Sequence, residues 1–159
     1  MASGENIHLH HGDLPKGAIS AASVAIDTET MGLQLGRDRL CLVQLSAGDG
    51  SAHLVQFDGG DYRAPNLRKL LGDAKTRKIF HFARFDLGML KRHLDVDVAT
   101  VFCTKIASKL CRTYTDRHGL KELVRDLLGI EISKQQQSSD WGARELTKEQ
   151  QLYAAADVL

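Results

Sequence analysis

No CxxC pair occurs in this chain, and its three cysteines, Cys41, Cys103 and Cys111, are an odd number without regular spacing. That excludes a disulfide framework and a cysteine-based zinc site, and it fits a reducing, cytoplasmic setting. With only two prolines and no Pro/Gly-rich linker, repeat or low-complexity tract, residues 1–159 read as one domain. No apolar run approaches the roughly 20 residues a membrane helix needs. The start, MASGENIHLHHGDLPKG, has neither the basic opening nor the apolar stretch of a signal peptide. A large net charge is also lacking: the total is +1, which by itself points to no polyanionic partner.

Hydrophobic residues make up 43% and charged residues 26%, an ordinary globular balance at a length that buries a real core. Charge is uneven, however. Between Val101 and Arg125, Lys105, Lys109, Arg112, Arg117, Lys121 and Arg125 face only Asp116 and Glu122. Such a run either follows a phosphate backbone or forms a solvated helix face. His8, His10 and His11 suggest metal binding at first sight, but a polar, mobile terminus is the simpler expectation.

The hydrophobic pattern predicts an α/β domain. Ser23–Thr28 is short and β-rich, and Arg39–Ser46 alternates. Gly48-Asp49-Gly50 is a turn signal that makes Ala52–Phe57 the antiparallel partner of the preceding strand. A short helix follows near Pro65–Leu71, then strand Arg77–His81 and helix Ala83–Leu94. Val98–Phe102 completes a mixed five-stranded sheet. Thr104–Cys111 and Leu120–Leu128 read as helices, the second capped by Gly129. Thr147 and Gln150 form a capping box that opens a last helix.

Four acids stand out on this framework. Asp27 and Glu29 lie two apart at a strand end and therefore point to one side. Two close carboxylates repel, and a hard divalent cation relieves that repulsion. Asp86 interrupts an apolar, aromatic run in the first turn of a helix, where the helix dipole also favours it. Tyr153 and Asp157 lie four apart on one helix face, with three small alanines between them. Each feature alone has an ordinary structural reading. Together they match the needs of two-metal phosphoryl transfer, with ions about 3.5–4 Å apart. Tyr153 would then orient or polarise the attacking water.

Ala25-Ile26-Asp27-Thr28-Glu29-Thr30, His81-Phe82-Ala83-Arg84-Phe85-Asp86 and Tyr153-Ala154-Ala155-Ala156-Asp157 resemble the three motifs of the DEDDy 3′–5′ exonucleases, which have a ribonuclease H-like fold. Asp116–Leu123 and Lys134–Trp141 are similar to segments of the ribonuclease D family within that branch. His11–Pro15 and Phe102–Ser108 are similar to its nano-RNase C group, small enzymes that degrade dinucleotides and very short RNAs. The resemblance implies Asp27, Glu29, Asp86 and Asp157 as ligands of two Mg²⁺ or Mn²⁺ ions, with Tyr153 catalytic. It implies hydrolysis of short RNA from the 3′-hydroxyl end to nucleoside 5′-monophosphates. It places substrate contacts at Thr28, Leu33, His81, Phe85, Lys134, Gln136 and Ser139. Trp141, following a polar loop, is expected to fasten that loop rather than stack on a base. It implies a ring-shaped homo-oligomer when the full C-terminus is present. The alternatives are a DNA-directed 3′–5′ exonuclease and a catalytically impaired nucleic-acid-binding module on the same fold. The chain stops two residues after Asp157, so the last helix is expected to be cut short, with Asp157 in a fraying turn.

Overall fold

The computed structural model describes residues 6–159. Six strands and five helices follow in the order β1 (Ile7–His11), β2 (Ser23–Thr30), β3 (Leu40–Ser46), β4 (Ala52–Gln56), α1 (Pro65–Gly72), β5 (Arg77–Phe80), α2 (Ala83–Leu94), β6 (Val101–Cys103), α3 (Thr104–Cys111), α4 (Leu120–Leu128) and α5 (Lys148–Ala156). The sheet runs β1-β4-β3-β2-β5-β6. β2, β3 and β4 form an antiparallel meander, while β2–β5, β5–β6 and β1–β4 pair in parallel.

The sheet therefore has six strands, not five. The sixth is β1, in the segment expected to be mobile. His8 pairs with His53 in the β1–β4 register, and His10 Nε2 lies 3.0 Å from His53 Nδ1. The histidines hid a strand whose inward residues, Ile7 and Leu9, pack against the core. The first five residues of that segment lie outside the described ones. β6 is also shorter and later than Val98–Phe102, because Thr100 adopts a left-handed φ of 57° just before it.

β3 is buried along its whole length because both faces of the sheet are covered. On one face Val24, Ile26, Val43 and Leu45 pack with Met89, Leu90 and Leu94 of α2 and with Leu67 and Leu71 of α1. On the other, Cys41, Leu42 and Leu54 pack with Trp141, Leu146 and Ala154. The alternation of β2 thus aims Val24, Ile26 and Thr28 at the α2 layer, and Ala25, Asp27 and Glu29 at the α5 layer. The Thr147–Gln150 capping box forms as expected, with Gln150 N donating to Thr147 Oγ1 over 3.2 Å and Thr147 N to Gln150 Oε1 over 2.9 Å. Among the described residues, no helix is long and apolar enough to cross a membrane.

Candidate active site

Asp27, Glu29 and Asp157 converge: one carboxylate oxygen from each lies within 4.8 Å of the others. Strand β2 supplies the first two. The third sits at the end of α5, whose Ala154 and Ala155 are fully buried and let the helix approach the sheet closely. The last turn is fastened rather than frayed. Val158 is buried against Ala52 and Ala155, and the amides of Val158 and Leu159 both donate to Ala155 O.

Asp86 stands apart from that trio and enters from the opposite layer. Its side chain is buried in the first turn of α2, and Thr28 Oγ1 donates to its Oδ1 over 2.5 Å. Four acids drawn out of water repel one another. Burial, followed by the charges of Asp27, Asp157 and Asp86, pushes Glu29 up to about 9. Burial likewise holds Asp27, Asp86 and Asp157 above the usual carboxylate range, with the Asp27 charge as the next cause for Asp86 and Asp157. Such a set of oxygens, crowded and short of positive charge, fits hard divalent cations. Tyr153 joins the same wall. Its hydroxyl is raised above its ordinary value by burial and then by Asp157, Glu29 and Asp27, so it keeps its proton. Trp141 lies against it, ring centroids 5.8 Å apart.

A cleft of about 690 Å³ opens over these groups, with Thr28, Leu33, His81, Phe85 and Ser139 among its walls. A smaller one, about 330 Å³, shares Asp27, His81, Tyr153 and Asp157 and is bounded by Lys105, Lys121 and Lys134. The basic run between Val101 and Arg125 thus divides. Lys105 and Lys121 reach the site, whereas Arg112 is buried and paired with Asp126 at 2.6 Å. His81 has a fixed orientation. Its Nδ1 lies 2.9 Å from Thr104 Oγ1, whose hydroxyl is also 3.1 Å from Phe80 O.

The structure departs from the sequence expectations at Gln136 and adds Phe82 to the cleft walls. Gln136 lines neither cleft: the tight turn from Lys134 to Ser139, closed by Gln137 N to Lys134 O and Ser139 N to Gln136 O, presents Gln137 to both clefts instead. Phe82, adjoining the named pair His81 and Phe85, is 49% exposed at a left-handed φ of 63°, and Lys105 Nζ stands 4.3 Å from its ring centre. That conformation at the start of α2 sets the ring in the wall of both clefts. Trp141 is an anchor, 3% exposed, with Nε1 donating to Gln137 O over 3.3 Å.

The model of the 3′–5′ exonuclease family matches residues 13–159. Ribonuclease D of Gluconacetobacter diazotrophicus is 38% identical over 135 residues, 85% of this chain and 34% of that protein. DNA polymerase I of Aquifex aeolicus is 37% identical over 134 residues, 84% of this chain and 21% of that protein. The chain thus spans about a third or less of the length of these curated relatives. NrnC of Brucella melitensis superposes with a TM-score of 0.93 at 56% identity, covering 97% of this chain and 75% of that one. Structures of that protein bound to pGG and with bound Mg²⁺ match similarly. The chain belongs to the 3′–5′ exonuclease family.

Proposed function

We propose that this chain is a metal-dependent 3′–5′ exoribonuclease acting on dinucleotides and very short RNAs in the cytoplasm. The convergence of Asp27, Glu29 and Asp157 in one cleft carries the reading. Asp27, Glu29 and Asp157 would hold one divalent ion and Asp27 with Asp86 a second. Bound there, the ions would lower the pKa of a water and neutralise charge on the leaving oxygen.

The chain's own groups do the rest. Tyr153, protonated, orients the attacking water by its hydroxyl. Water adds in line to the last phosphorus, the bond to the preceding 3′-oxygen breaks, and that oxygen leaves as a 3′-hydroxyl. A nucleoside 5′-monophosphate is released. Leu33 and Phe85 offer apolar faces to the terminal nucleoside, and Lys105, Lys121 and Lys134 line the path of the preceding phosphate. The pGG-bound state of NrnC supports the short-substrate reading. Phe102, Ile106, Leu110, Leu127 and Leu128 are exposed apolar side chains on β6, α3 and α4, which supports the homo-oligomer reading. Free cysteines, Cys41 buried and Cys111 exposed, accord with a reducing compartment.

Incubation with 5′-labelled RNAs of two to seven nucleotides, with Mg²⁺ or Mn²⁺ and then with chelator, tests the proposal. Matched DNA oligonucleotides serve as the rival substrate suggested by the similarity to DNA polymerase I. Shortening from the 3′ end that stops in chelator and in Asp27→Ala is expected. Activity that survives either, or equal rates on DNA, would overturn the metal or the RNA assignment respectively.

A further inference from the structure

Gln44 interrupts the apolar run of β3, between Val43 and Leu45, and is fully buried. It lies opposite Asp27 in the β2–β3 register, on the sheet face that carries the carboxylates. Its Nε2 donates to Glu29 Oε1 across 3.4 Å, a long bond that lies at the outer limit for an amide and a carboxylate. Its Oε1 has no partner among the described residues. An aliphatic residue would satisfy this position in the core without leaving a buried acceptor unpaired. The amide is therefore unexplained by packing, and among the described residues its only hydrogen bond is with the catalytic cluster.

We propose that Gln44 is a positioning residue for Glu29, fixing that carboxylate's rotamer for the divalent cation. This rests on the metal-site reading above. The physical case is one of charge. Glu29 is crowded by Asp27 and Asp157, with one carboxylate oxygen of each within 4.8 Å, and repulsion at that range favours rotamers that point away. A neutral N–H donor holds it in place without supplying a positive charge that would compete with the ion, as a lysine or arginine here would. Ligand carboxylates are oriented in this way by hydrogen bonds from outside the coordination sphere.

Mn²⁺ binding to the substrate-free protein, read from the electron paramagnetic resonance of free Mn²⁺, tests this apart from catalysis. Gln44→Met keeps the volume and removes the donor. The expected result is an apo melting temperature at or above the parent's, and Mn²⁺ affinity weakened about tenfold. At limiting metal kcat falls, and excess Mn²⁺ restores it with KM little changed. In a Glu29→Gln background the same Gln44 substitution is expected to cause no further loss. Mn²⁺ affinity within twofold of the parent in Gln44→Met, or in Gln44→Leu should the first not fold, overturns the role of Gln44 alone. A parent protein that binds no Mn²⁺ overturns the metal-site reading itself.

Discussion

Thr28 donates its hydroxyl proton to Asp86 Oδ1 over 2.5 Å, joining the strand that bears Asp27 and Glu29 to the helix that bears Asp86. Both residues are buried, at 7% and 3% exposure, so water does not compete for the bond. Thr28 was expected to meet substrate. It does reach the cleft wall, but its side chain points into the α2 layer and its hydroxyl is spent on the carboxylate. A hydrogen bond to a charged group contributes about 1.5–3 kcal/mol, so Thr28→Val should lower kcat/KM at limiting Mg²⁺ by roughly tenfold to a hundredfold. Thr28→Ser should recover most of it. Parental kcat/KM in Thr28→Val would show that the bond does not matter to the chemistry.

Tyr153 is held from two sides, by Trp141 at 5.8 Å and by the α5 helix packed on β3 and β4. Tyr153→Phe keeps that packing and removes one hydroxyl. With the hydroxyl raised by burial and by three acids, its work is to donate or orient rather than to accept a proton. Steady-state kinetics on a labelled dinucleotide should show kcat lower by roughly a hundredfold, with KM nearly unchanged. A comparable rise in KM would instead make Tyr153 a substrate anchor.

Much of this site is readable from local spacing. Asp27 and Glu29 follow from strand alternation, and the start of α5 from its capping box, because both signals lie within a few neighbouring residues. What escapes is non-local. Strand β1 looked like a histidine-rich tail because its pairing partner, β4, lies some 45 residues away in the chain. In sequence Thr28 reads as a substrate contact, and Gln44 is one polar position in the alternating strand Arg39–Ser46. Only register and layer reveal that one serves Asp86 and the other touches Glu29. The exposed, left-handed Phe82 has no sequence signature at all, since its orientation is a property of the backbone at the β5–α2 junction.

Folding brings Glu29 from an ordinary carboxylate to about 9, chiefly through burial. The sign of the consequence is fixed. A carboxyl whose folded pKa is raised binds more protons when folded, so stability is full below its unfolded value near 4.5 and declines as pH rises toward 9. Asp27, Asp86 and Asp157 shift in the same direction. In chelator the melting temperature should therefore fall between pH 5 and pH 9, and added Mn²⁺ should recover more of it at high pH. Glu29→Gln should flatten the curve. At pH 8 in chelator it should melt higher than the parent, by roughly 2–4 °C for each kcal/mol of relieved repulsion. Scanning calorimetry across pH decides this, and a Glu29→Gln protein that melts lower in chelator at pH 8 would contradict it.

Leu33 and Phe85 face the same cleft but differ in what else they do. Leu33 is 83% exposed, so its side chain contributes nothing to the core. Phe85 is half-buried and packs against the α2 side of the sheet. If Leu33 covers the terminal base, Leu33→Ala removes up to three buried carbons at about 0.8 kcal/mol each, and KM for a dinucleotide should rise by roughly tenfold to fiftyfold. Its melting temperature should not move. Phe85→Ala should raise KM and also lower the melting temperature, because it leaves a cavity in the core. The contrast separates binding from packing in one experiment. An unchanged KM in Leu33→Ala alongside a raised one in Phe85→Ala would assign the nucleoside contact to the aromatic ring and leave Leu33 outside the substrate site.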